Sequence, residues 1–382
     1  MFFKLIAQCN SLIFLSFVSQ KIVQKLFYNG ELNNFYIYMM VRIHKYTILL
    51  ALCCAAVNTR AQTIGSFENP YILNPSPTTV AWGYYWSEVK PCLKIHSGDF
   101  VKLHTLLTSN PERLEAAGLP PEKVEKELRD VQVVKERGPG GHVLTGPIFI
   151  EEAEPGDVLE VRLTSIDFAI PYGYNAIGQA GFLSDEIFER KMTIINLDTV
   201  KRIGHFKEGI DIPLHPFFGS MGVAPPKEAG RWNSAPPWIN AGNLDNKELV
   251  AGSSLFIPVH VKGALFEIGD GHAAQGNGEV DITAIETSLK AKIQFVVHKG
   301  KTLIWPRAET ATHIITMGCD RDLNAATRIA VREMIKYLME EKNLSKADAY
   351  MLCSVAVDVN ITQLVDGNVG VHCMLPKSVF VK

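Results

Sequence analysis

The segment Gly269–Glu286, GDGHAAQGNGEVDITAIE, sets Asp270, His272, Glu279, Asp281 and Glu286 close together with glycines between them. Carboxylates and a neutral imidazole that converge suit two kinds of chemistry, holding a divalent cation and moving protons. Asp270 and His272 are two residues apart, so on extended backbone they project to one side. Asp270, His272 and Glu279 are therefore candidate metal ligands. His142, which follows the glycine-rich break Gly138–Gly141, is the candidate fourth. An oxygen-rich set suits Ca²⁺, Mg²⁺ or Mn²⁺, whereas imidazoles draw the choice toward Zn²⁺, so Zn²⁺ and Ca²⁺ both stay open. Glu286, Glu279 and His272 are the candidate catalytic groups. Glu286 is expected on a strand face shared with Val280, Ile282 and Ala284, where burial would raise its pKa and fit it to carry a proton.

Each assignment has a plainer rival. His142 could be a hydrogen-bonded loop histidine, and Glu286 could neutralise a buried Lys or Arg. Asn243 and Asp245 either form an Asx-type turn that holds the loop or bind the substrate amide or a metal. Gln275 either donates to a substrate carbonyl or braces its loop.

These groups need rigid elements behind them. The run before them, LFIPVHVKGALFEI, has strand composition, and Val280–Val297 reads as a further strand. Thr79–Lys102 reads as strand, turn, strand. Pro147–Ile166 gives two strands about the turn at Ala153–Asp157. Asn110–Asp130 is expected to be helical, with Asn110 capping and Pro111 at the first position. Asp322–Lys342 has helical periodicity on one face, and Ser345 with Asp348 forms a capping box for a second helix. Val355–Val365 and Val369–Leu375 are expected closing strands. Many strands with few, mostly late helices predict a mainly β fold: a β-sandwich or jelly-roll-like core with added α-helices, including a helical segment near the C-terminus.

The chain has 382 residues and a formal net charge of -2. That balance offers no basic surface for nucleic acid. No dinucleotide fingerprint, Walker loop or Gly-x-Ser-x-Gly elbow is present. Cys92, Cys319, Cys353 and Cys373 lack CxxC spacing, which argues against a zinc–thiolate site and leaves disulfide pairing open. The basic stretch after Met40, the apolar YTILLALCCAAV and Thr59-Arg60-Ala61 follow the order of a secretory signal, with an apolar part too short to span a bilayer. Residues 1–61 are thus expected to be non-mature: an over-extended start, then a signal at about 40–61. Residues 62–382 are expected to form one secreted or periplasmic domain with no stable membrane span.

Several separated blocks carry a resemblance. They include Gly141-His142-Val-Leu-Thr-Gly-Pro147, Glu152–Val161 (EAEPGDVLEV) and Pro216–Pro225 (PFFGSMGVAP). Ala241-Gly-Asn243-Leu-Asp245, GDGHAAQGNGE and the tail from Asp320 through Val365-Asp366-Gly367 to Pro376 follow in order. Together they resemble the acetamidase/formamidase family over about residues 75–380. Two positions depart from that pattern: Ala241 stands where the family often has glycine, and Asn277 where it often has aspartate. The resemblance implies a β-sandwich hydrolase that splits a short linear amide into ammonia and a carboxylate, working as a homo-oligomer. A metal-bound water would serve as nucleophile. Two rivals are a non-catalytic jelly-roll module with a structural Ca²⁺ and a metal-independent amidase using Cys319 or Cys353.

Overall fold

A computed structural model describes residues 64–381. The expected signal segment and early start lie outside the described residues, as does the boundary at residue 62. Residues from Ile64 onward form one compact unit. Two large, mostly antiparallel sheets face one another. The nine-stranded sheet runs in the order Tyr71–Leu73, Phe100–His104, Leu289–His298, Val158–Phe168, Ser254–Pro258, Arg307–Glu309, His313–Asp320, Val369–Pro376 and Asp358–Gln363. In the eleven-stranded sheet, Phe266–His272 lies between Glu286–Thr287 and Phe217–Gly222, and Ala241–Asn243 lies beyond Phe217–Gly222.

Alternation along the strands explains the sandwich. Val101 and Leu103, Leu159 to Leu163, and Ile293 and Phe295 point inward from the first sheet. Ile148, Phe218, Met221, Phe266 and Ile268 meet them from the second. Phe266 and Phe295 pack edge to face at 5.1 Å, and both are fully buried. Each such side chain contributes roughly 1.5–3 kcal/mol through burial.

The late helices form as their sequence predicts. Asp322 caps Leu323–Lys342 through the Ala325 N–H, and Ser345 caps Lys346–Ala356 through the Asp348 N–H. Ala326, Ala330, Met334 and Leu338 bury one stripe on Ile314, Val371 and Leu375. Gly318 permits that contact, because a Cβ there would lie 2.4 Å from the Ala326 carbonyl oxygen.

Two elements differ from expectation. Asn110 does cap a helix, but it spans only Pro111–Ala116. Gly118, at φ +96°, and Pro120-Pro121 end it, and a second short helix forms at Lys126–Asp130. Val280–Ile285 is a turn rather than strand. The Asp281 carboxylate accepts from the Thr283 N–H, and Asn175 donates to both side chains. Val280 is accordingly exposed, and only Glu286–Thr287 and Leu289–His298 are extended. All four cysteines among the described residues are free thiols. Among the described residues, no helix is long and apolar enough to cross a membrane.

Candidate active site

Phe266–His272 carries Asp270 and His272 into the sandwich, and Glu286 faces His272 from the neighbouring strand through the register pair His272↔Glu286. Asp270 has φ +55°, a left-handed conformation that aspartate tolerates better than most residues. His272 is fully buried, and the Phe217 ring meets it edge-on at 5.1 Å. Acids surround it. Nε2 lies 3.3 Å from both Asp270 Oδ2 and Glu286 Oε1, while Nδ1 lies 4.0 Å from Asp245 Oδ1. Two groups able to hold an ion result, Asp245–His272–Glu279 and Asp270–His272–Glu286, each with ligand atoms within 4.8 Å of one another.

The structure divides the predicted ligand set between these groups. Asp270 and Glu279 fall in different groups that share His272. His142 belongs to neither group: its Nε2 is 3.7 Å from Asp270 Oδ2, and its Nδ1 pairs with Ser234 Oγ at 2.8 Å. Asn243 is buried, and its amide donates to Asp245 Oδ2 at 2.7 Å while Ser220 donates to its oxygen. Asn243 thus orients Asp245, whose Oδ1 points at the imidazole. Gln275 donates to the Asp245 carbonyl oxygen and lines a cavity of about 700 Å³ that also includes Phe206, His215, Lys247 and Asp281. Phe217 and Phe218 are fully buried behind the site, and Tyr174 donates to the Thr108 carbonyl oxygen.

Four further residues complete the centre. Thr108 donates to Asp270 Oδ1 at 2.9 Å. Gln363 donates to Asp245 Oδ2 at 2.7 Å and to Asp366 Oδ2 at 3.1 Å, bringing a further acid alongside. Gly219 makes the space. A Cβ there would lie 2.5 Å from Asp245 Oδ1, 2.6 Å from Asp270 Oδ2 and 2.7 Å from His272 Cε1. Sequence reasoning assigned none of these a role. Gly219 and Asp366 stood within the blocks PFFGSMGVAP and VDG, whereas Thr108 lay in none.

The electrostatics follow from crowding. Among the described residues, no Lys or Arg forms an ion pair with Asp245, Asp270, Glu279, Glu286 or Asp366. Burial raises the pKa of Asp245, and the charge of Asp366 adds to it. Burial raises Glu279 as well, reinforced by Asp245 and Asp366. Burial also raises Glu286, despite the opposing pull of His272. Asp270 goes the other way. Burial alone would raise it, but His142, His272 and the Thr108 hydroxyl hold it below the usual carboxylate range. Burial would lower His272, and Glu286 and Asp270 more than reverse that.

A divalent cation fits these residues. Asp245 Oδ1, Glu279 Oε2, Glu286 Oε2 and both imidazole nitrogens are buried without a hydrogen-bond partner. Buried polar atoms are otherwise nearly always satisfied. By contrast, the thiol of Cys319 is pushed up to about 12 by burial, so it supplies no thiolate nucleophile at neutral pH.

Fold and centre together define a β-sandwich protein with a buried acid–imidazole core. The acetamidase/formamidase family model matches residues 85–235 and 229–382, and the chain belongs to that family. It superposes on the crystal structure of an acetamidase from Yersinia enterocolitica with a TM-score of 0.70 and 28% identity, covering 83% of this chain and 96% of that one. It is 27% identical over 202 residues to the acetamidase of Mycolicibacterium smegmatis, covering 37% of this chain and 49% of that protein. It is 26% identical over 208 residues to the formamidase of Methylophilus methylotrophus, covering 40% and 49%. The chain spans about half the length of the curated relatives it matches.

Proposed function

We propose that this protein hydrolyses a short linear amide of the formamide or acetamide type to ammonia and a carboxylate. One observation carries the reading: buried, unpartnered acceptor atoms converge on His272, and among the described residues no Lys or Arg forms an ion pair with them. Formamidases and acetamidases among the relatives support the choice of substrate class.

Asp245, His272 and Glu279 would hold a divalent cation. Bound there, it would polarise the amide carbonyl and lower the pKa of water at the site. With Nδ1 turned to the cation, the remaining imidazole proton would sit on Nε2, 3.3 Å from the ionised Asp270. Glu286 accepts the Ala284 N–H at Oε1, and its Oε2 is free. Its raised pKa equips it to hold a proton for the departing amine. Asn243 and Gln363 fix the Asp245 carboxylate, and Gln275 links that loop to the adjoining cavity. The same proposal keeps the chain as an exported homo-oligomer, on the strength of the segment before residue 62 and the family resemblance; size-exclusion chromatography of the secreted form tests it.

The deciding experiment measures ammonia release from formamide and acetamide by protein stripped of metal and then reloaded. Activity should vanish on stripping and in His272→Ala, and return on reloading only in the wild type. Undiminished ammonia release from His272→Ala would reject the proposal.

A further inference from the structure

A second cavity, of about 460 Å³, shares no lining residue with the acid centre. It sits on the outer face of the nine-stranded sheet, against the C-terminal part of the helix Leu323–Lys342. Phe256 lines it, whereas its neighbours Leu255 and Ile257 point into the sandwich core. Its volume falls within the ordinary range for small-molecule sites.

Arg307 opens onto this cavity from a short strand. It is only 9% exposed, and neither Nε nor Nη2 has a hydrogen-bond partner. The nearest acids, Glu333 at 3.9 Å and Glu340 at 4.0 Å, stand beyond hydrogen-bond length. Burial raises the pKa of Glu333, which weakens it further as a counter-ion. The other acids are engaged elsewhere. Glu160 takes Arg162 at 2.8 and 2.9 Å and His298 at 2.8 Å. Glu309 takes Lys377 at 3.1 Å, and Glu341 faces Lys301 at 4.0 Å. A buried guanidinium with unused donors is a state that folded proteins avoid.

The planar fork of arginine matches a carboxylate with two parallel hydrogen bonds. Phe256, Leu303, Ile314 and Tyr337 supply apolar wall beside it. Even with partners, Glu160, Glu309, Glu340 and Glu341 line the same cavity, which disfavours a second negative charge on the ligand. We propose that this cavity binds a small monocarboxylate with an apolar tail, its carboxylate on Arg307 and its tail against Phe256, Ile314 and Tyr337. The site is independent of the acid centre and of the reaction proposed there.

Calorimetric titration of the intact protein with butyrate, benzoate and inorganic phosphate tests this. Butyrate or benzoate should bind once per chain, and phosphate at least about tenfold more weakly. Arg307→Met should weaken the carboxylate by roughly tenfold or more. Leu303→Trp, which narrows the cavity at a half-buried loop position and leaves Arg307 in place, should do the same. If circular dichroism shows Arg307→Met to be unfolded, Leu303→Trp decides alone. No binding heat from either carboxylate overturns the assignment. So does wild-type binding in the folded variants, or phosphate binding as tightly as the carboxylates.

Discussion

Replacing Gly219 by alanine probes the centre with a single methyl group. Gly219 lies in the strand Phe217–Gly222 without a positive φ, so the backbone itself accepts alanine. The methyl has nowhere to go. It would lie 2.5 Å from Asp245 Oδ1, 2.6 Å from Asp270 Oδ2 and 2.7 Å from His272 Cε1. To regain ordinary contact at 3.4 Å, each group must retreat by roughly 0.7–0.9 Å. Overpacking of this kind costs about 1–3 kcal/mol in stability. A displacement near one ångström at a reacting centre costs on the order of 10²-fold in rate. Gly219→Ala should therefore melt a few degrees lower, retain its fold, lose metal affinity and lose most of its ammonia release.

Gly276→Ala supplies the control. It sits in the same glycine-rich corner, has no positive φ, and a Cβ there meets nothing within 4 Å. It should keep wild-type melting and activity. Scanning calorimetry, metal analysis and ammonia release on the two variants complete the test. A Gly219→Ala protein with wild-type turnover and ion content would show that the convergence of Asp245, Asp270 and His272 does not matter to function.

Three further outcomes follow from the same geometry. Because burial raises the pKa of Asp245 and Glu279, cation binding should be accompanied by proton release, read by calorimetry in buffers of differing ionisation enthalpy. Glu286→Gln should lower kcat by about 10²–10⁴-fold while metal content stays unchanged, and loss of the metal instead would reassign Glu286 as a ligand. His372 is fully buried, and burial lowers its pKa to about 4, so the unfolded chain takes up its proton first as pH falls below about 6.5. Its contribution is whole near neutrality and lost on acidification, by about 2 kcal/mol at pH 5; His372→Gln should show a visibly flatter melting-versus-pH curve between pH 7 and 5.

The sequence made one corner of this centre legible because its geometry is local. Asp270 and His272 share a strand, so their spacing alone places them together. The late helices were legible for the same reason, since caps and periodicity act within a few residues. Glu286 reached the centre by a route the pattern did not reveal. The Asp281–Thr283 turn breaks the expected strand, and cross-strand pairing with His272 does the positioning. Asp245 was visible as a candidate contact, but its place beside His272 and Asp366 was hidden more deeply. Gln363 clamps Asp245 and Asp366, and it is held in place by a bridge between Gly278 and the tail strand: the Gly278 N–H donates to Thr362, and Gly278 accepts from Leu364. The glycine-rich corner is thus sewn to a segment far along the chain by backbone bonds that carry no side-chain signature. That arrangement also explains why the acids tolerate such crowding. Strand pairing, not attraction among the side chains, holds them together, and the resulting excess of unpaired acceptors is what gives a cation its place.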